Sequence, residues 1–152
     1  MSSILIPLPL DQSKINELIP QSPPFLLLDS ITEFHENQLS ATYTFSKNFP
    51  MLEGHFPGDP VIPGVLLCEC CLQAGATFLS LKMISKGGGP IKGKAVVTRM
   101  DKIKFKQMVK PETKLTIQIT FLENFDQFSL FKGSILVAGK TALTLEFLVG
   151  SA

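Results

Sequence analysis

His55 and Glu69 stand fourteen residues apart, the first in a Gly/Pro-rich stretch and the second inside an apolar run. An imidazole changes charge near neutral pH and can give or take a proton there. A carboxyl withdrawn from water has its pKa raised and can hold a proton at the same pH. The two are a candidate base and acid for a reaction that takes a proton from one atom and gives one to another. Between them, Pro63-Gly64-Val65 marks the start of a helix, whose first backbone N–H groups lack partners. The N–H groups of Gly64 and Val65 could therefore polarise a carbonyl oxygen as an oxyanion hole does, and Gly64 allows close backbone approach. Each feature also has a plainer reading: a structural His in a loop and a carboxylate on a solvent face.

The elements that must hold these groups follow from local signals. Segment 49–64 contains Pro50, Pro57, Pro60 and Pro63 together with Gly54, Gly58 and Gly64, which reads as a rigid, shaped loop. A long helix is expected from Pro63 to about Ile84, stopped by Gly87-Gly88-Gly89-Pro90 and carrying Lys82 and Lys86 near its end. With Glu69 placed at 0°, Gln73, Thr77 and Ser80 fall at about 40°, 80° and 20°. These polar residues share one stripe, either a solvent face or a semi-buried seam along a cavity.

Upstream, Asp11 or Ser13 can cap a short helix through about Leu18, and Pro20, Pro23 and Pro24 then impose extended backbone. Strands are expected at 30–36 and 39–45. After Pro90 the chain reads as strand, with alternation over Lys102–Lys106 and over Leu115–Phe121, and a hairpin of 128–137 with 141–149 around Gly139-Lys140. A helix this apolar must be wrapped. The economical solution is one α+β domain spanning 1–152, a curved antiparallel sheet folded round the helix, with an edge that can continue into a second subunit.

Composition bounds the partners. The chain has 152 residues, 45% of them hydrophobic and 18% charged. Its longest apolar stretch, Val65–Leu81, contains Glu69, which argues against membrane insertion. The N-terminus lacks the basic head and small-residue cleavage site of a signal peptide, so a cytoplasmic location is expected. Cys68, Cys70 and Cys71 have no metal or redox spacing and read as buried reduced thiols. The net charge of +1 is unevenly spread: residues 1–81 carry −6, 82–114 carry +8 and the remainder −1. Such segregation suggests a basic patch for an acidic partner, or else a solvated strand face. No nucleic-acid motif accompanies the lysines, and nucleic acid is not an expected partner.

The block Gly54-His55-Phe56-Pro57-Gly58-Asp59-Pro60-Val61-Ile62-Pro63-Gly64-Val65-Leu66 resembles the signature of the β-hydroxyacyl-acyl carrier protein dehydratases. Cys68-Glu69-Cys70-Cys71-Leu72-Gln73 is similar to that family's helix, Phe25–Asp29 to its N-terminal motif, and Asp101–Phe105 with Val109-Lys110-Pro111 to a later strand and turn. The resemblance spans about residues 18–149. Gln21-Ser22-Pro23 stands where the family usually has a basic and aromatic run, and Ser30 where it usually has Arg.

The resemblance implies a hotdog fold, dimers whose sheets join and that often assemble as trimers of dimers, and an active site shared between subunits. It implies no cofactor and no metal. Glu rather than Asp at position 69 points to the FabZ-like branch. The expected reaction is dehydration of 3-hydroxyacyl thioesters on acyl carrier protein, in fatty-acid or related acyl-chain synthesis. His55 would be the base at C2, and Glu69 the acid at the C3 hydroxyl or the group that orients it. Gly64 and Val65 would hold the thioester oxygen, Gln73 would position the carboxyl, and Phe56 would line an apolar tunnel. Lys102, Lys104, Lys106 and Lys110 would guide the acidic carrier. The alternatives are a hotdog acyl thioesterase and a non-catalytic acyl-chain-binding protein.

Overall fold

The computed structural model describes residues 6–91 and 95–151. Residues 1–5, and Lys92 and Lys94 of the basic segment, lie outside the described residues. In chain order the elements are β1 (Leu10–Asp11), α1 (Gln12–Asn16), β2 (Ser30–Phe34), β3 (Gln38–Thr44), a 3-10 turn (Leu52–Gly54), α2 (Gly64–Ser85), β4 (Ala95–Phe105), β5 (Lys114–Phe125), β6 (Phe128–Val137) and β7 (Lys140–Ser151). The strands form one antiparallel sheet in the order β1-β2-β3-β5-β6-β7-β4. The sheet wraps α2, the architecture expected from the sequence.

Helix α2 has almost no apolar bias to one side and is buried along most of its length. It is long and apolar enough to cross a membrane, yet it forms the centre of the core. Small residues let the sheet close on it. A Cβ at Gly75 would lie 2.7 Å from the Phe147 ring, and one at Gly133 would lie 3.3 Å from the Cβ of Cys71. Phe131 stacks on Phe147 at 5.3 Å and meets Phe78 edge-on at 5.7 Å, joining helix and sheet through aromatic contacts. At the C-terminal end, Gly87 takes φ 89°. Its N–H donates to Ile84 (2.9 Å) and the N–H of Gly88 donates to Met83 (2.9 Å), a Schellman termination.

Several sequence expectations shift. Asp11, not Ser13, caps α1: its Oδ1 accepts from the Lys14 N–H at 3.0 Å. That helix ends at Asn16 rather than Leu18. Pro63 is the N-cap of α2, with ψ 133°, rather than a member of its first turn. The last hairpin turns on Ala138-Gly139, because Val137 pairs with Lys140 and both central residues take positive φ.

The polar stripe is not a solvent face, and of its members Glu69 alone lines the cavity beside the helix. Gln73, Thr77 and Ser80 are all buried. Thr77 donates to the Gln73 carbonyl at 2.8 Å. The Ser80 hydroxyl donates to Leu18 (2.6 Å) and accepts from the Ile91 N–H (3.0 Å). Sequence periodicity groups these side chains but does not say that the N-terminal segment lies across them.

Strand β4 begins seven residues before the expected alternation and is bulged twice. At the second bulge Asp101 pairs with Glu146 and Lys104 with Thr144, leaving Lys102 at φ 52°. Ile103 and Phe105 are 39% and 54% exposed, so the alternation here does not mark a face turned into the core. The reason is position: β4 is the last strand of the sheet, and its outer edge pairs with no strand among the described residues.

Candidate active site

The loop that carries His55 closes on itself. The Val61 N–H donates to the His55 carbonyl at 2.8 Å, and Phe56 and Asp59 exchange backbone bonds of 3.1 and 2.9 Å. Two outside ties fix it: Lys110 Nζ meets Asp59 at 2.6 Å, and the Ile62 N–H donates to the Val109 carbonyl at 2.8 Å. The loop thereby leads into α2 along a defined path. The imidazole is held as well. Its Nδ1 lies 2.7 Å from the Val61 carbonyl. A carbonyl can only accept, so Nδ1 carries the hydrogen and Nε2 of the neutral ring keeps its lone pair. Among the described residues Nε2 has no partner, and Phe56 stacks on the ring at 4.2 Å.

At the start of α2 the N–H groups of Gly64 and Val65 donate to no acceptor among the described residues. They point out of a helix N-terminus, where partial positive charge collects. The Phe105 ring packs over Gly64 so closely that a Cβ there would come within 2.7 Å of it.

One turn further, Glu69 is half-buried. Burial raises its carboxyl above the ordinary 4.5, and a hydrogen bond from Gln73 offsets part of that rise. Gln73 Nε2 donates to Glu69 (2.9 Å) and to the Phe25 carbonyl (2.7 Å), while Oε1 accepts from the Leu27 N–H (2.7 Å). One carboxamide thus ties the N-terminal segment to the helix and fixes the carboxyl. Gln73→Leu is expected to strand the Leu27 N–H and lower stability by about 1–3 kcal/mol. Urea denaturation reads this, and an unchanged midpoint would show that the clamp carries no weight.

Glu69 opens into a cavity of about 260 Å³. Leu72 and Ala76 continue the same helical face along it, Gln21 and Phe25 close one side, and residues 95–97 of β4 with Val149 close the other. His55 and Phe56 are not on this wall. Within one chain the structure therefore brings together Glu69 with Gln73, and His55 with Phe56, as two separate groups. Phe56, expected to line the tunnel, is 53% exposed.

Of the four lysines, Lys102 pairs with Glu146 at 3.3 Å and Lys110 with Asp59, while Lys104 and Lys106 have no partner among the described residues. Cys68, Cys70 and Cys71 are buried free thiols, and desolvation pushes all three pKa values up, away from the reactive thiolate. Sequence reasoning missed Val61, which orients the imidazole through its carbonyl and so leaves no side-chain signal. It also gave no role to Gln21, whose one signal was a polar residue standing where a related family has a different run.

A family model described as FabA-like domain matches residues 19–146. The chain is 34% identical over 136 residues to 3-hydroxyacyl-[acyl-carrier-protein] dehydratase FabZ of Clostridium perfringens, covering 90% of this chain and 94% of that protein. It is 37% identical over 129 residues to the enzyme of the same name from Klebsiella pneumoniae, covering 84% and 83%. Among solved structures, the dehydratase heterocomplex ApeI:P from Xenorhabdus doucetiae superimposes with a TM-score of 0.80 over 97% of this chain and 93% of that one, at 18% identity.

Proposed function

The chain belongs to the FabA-like domain family, and on that premise we propose that it removes water from 3-hydroxyacyl thioesters on acyl carrier protein, leaving trans-2-enoyl thioesters. The observation that carries this reading is the half-buried Glu69 carboxyl, held by Gln73 at 2.9 Å in an otherwise largely apolar cavity. A carboxyl in such surroundings keeps its proton closer to neutral pH and can deliver it to a leaving group.

The reaction breaks a C2–H bond and a C3–O bond and forms the double bond between those carbons. His55 Nε2 takes the C2 proton, its ring oriented by the Val61 carbonyl. Glu69 protonates the C3 hydroxyl, so that water leaves rather than hydroxide. As C2 loses its proton, negative charge builds on the thioester oxygen, and the free N–H groups of Gly64 and Val65 stabilise it. Both catalytic groups return to their starting states by passing the proton from His55 to Glu69 through solvent.

The pair forms across a dimer: His55 of one protomer serves the partner subunit's Glu69. Support comes from β4, whose outer edge pairs with no strand among the described residues and carries Val96 and Phe105 at 42% and 54% exposure. The Glu69 cavity is walled by that same strand, so a second copy joined there would adjoin it. The cytoplasm is the compartment this reading implies, with the apolar helix committed to the core.

Turnover of 3-hydroxyacyl substrates of several chain lengths, on carrier protein and on coenzyme A, tests the assignment. Enoyl product with the thioester intact is expected, and release of free thiol instead would replace it with a thioesterase. Lys104 and Lys106 steer the acidic carrier. Lys104→Glu with Lys106→Glu is expected to raise KM for the carrier-bound substrate about three- to tenfold at low salt. The coenzyme A substrate should show no such change, and an equal change on both would remove the lysines from carrier recognition.

A further inference from the structure

Gln21 stands on the wall of the Glu69 cavity, and its Oε1 is buried with no hydrogen-bond partner. Among the described residues it is the one buried side-chain atom left in that state. Buried acceptors are almost always paired, because an unpaired one has lost water and gained nothing. Two side-chain amides of the helix and the N-terminal segment are already committed. Gln73 Nε2 serves Phe25 and Glu69, and Gln12 Nε2 serves the Leu28 carbonyl. Phe25, Leu72, Val97 and Val149 supply no side-chain donor to the cavity. An occupant of the cavity can supply the missing donor.

Resting on the dehydratase reading, we propose that Gln21 is a specificity-determining residue: its Oε1 accepts a hydrogen bond from the substrate's 3-hydroxyl and holds that group at Glu69. A hydroxyl can accept from a protonated carboxyl and donate to a carboxamide oxygen at the same time, so the two residues are complementary to it. Neither the enoyl product nor a saturated chain has a donor at that carbon. Gln21 thus favours the hydroxylated chain and lets go once water has been lost.

The test uses His55→Ala protein, in which the hydroxylated ligand persists, and measures Kd for 3-hydroxyacyl and saturated acyl thioesters of one chain length by calorimetry. The hydroxylated ligand should bind about three- to tenfold more tightly. Adding Gln21→Met should reduce the preference severalfold, leaving only what Glu69 contributes, while affinity for the saturated chain stays unchanged. In the otherwise unaltered protein without ligand, Gln21→Met should keep or raise Tm, because it removes an unpaired acceptor. A preference undiminished by the substitution, or a Tm lowered by several degrees, overturns the proposal; the latter would make Gln21 a structural residue. Wild-type turnover separates this from the broader reading. No enoyl product sinks the dehydratase assignment, whereas intact turnover with an unmoved preference sinks only the role of Gln21.

Discussion

His55→Ala should lower kcat for dehydration by about 10²–10⁴-fold, the usual contribution of one positioned base. The fold should survive. Among the described residues the imidazole makes one hydrogen bond, to the Val61 carbonyl, and one stack, with the half-exposed Phe56. The backbone bonds between His55 and Val61 and between Phe56 and Asp59 do not depend on that side chain. KM should change little, since on this reading the cavity rather than the ring holds the acyl chain. Steady-state kinetics on the carrier-bound substrate, with Tm as the control for folding, makes the measurement. Activity near the wild-type level in a folded variant would remove His55 from the chemistry.

Glu69→Gln should be nearly as damaging, again about 10²–10⁴-fold in kcat, and its side effects are more telling. A Gln side chain still accepts from Gln73 Nε2, so the local geometry is kept while the acid is lost. In the wild-type protein activity should fall on the alkaline side as Glu69 gives up its proton, at a pH above the ordinary carboxylate range because burial raises its pKa. In Glu69→Gln the residual rate should lose that alkaline limb.

Stability should move the other way. The folded pKa of Glu69 lies above its unfolded value, so between 4.5 and the raised value the folded state holds a proton that the unfolded state has lost. Wild-type stability therefore declines as pH rises through that window. Glu69→Gln escapes this decline and should melt higher at neutral pH, with the difference vanishing below pH 4.5. A variant that melts lower at neutral pH would mean that the carboxylate is stabilising where it sits.

Much of this was legible in the chain itself, for local reasons. The Pro/Gly run before Gly64 and the glycines after Ser85 bracket α2 to within a residue at each end, because caps and terminators act on their immediate neighbours. Asp11 was a nameable cap for the same reason. The two-residue β6–β7 turn was misplaced by one position, since strand register, not the glycine alone, selected Ala138 for positive φ. Alternation over 102–106 misled, because it says which residues share a face but not whether anything covers that face.

The sequence by itself determined the kinds of groups present and their local stage: an imidazole in a stiff loop, a carboxyl one turn into an apolar helix, and free N–H groups between them. Backbone stereochemistry and helical period act over a few residues, so those features can be read from a line of letters. Only the tertiary structure decided that β4 crosses to lie beside β7, that residues 18–27 fold over the helix, and that Gln73 therefore clamps Phe25 and Leu27 as it holds Glu69. It also decided that Gln21 ends in the same cavity with an unpaired oxygen. Those outcomes depend on which distant surfaces bury one another, and hydrophobic burial has no direction along the chain from which the partners could be read.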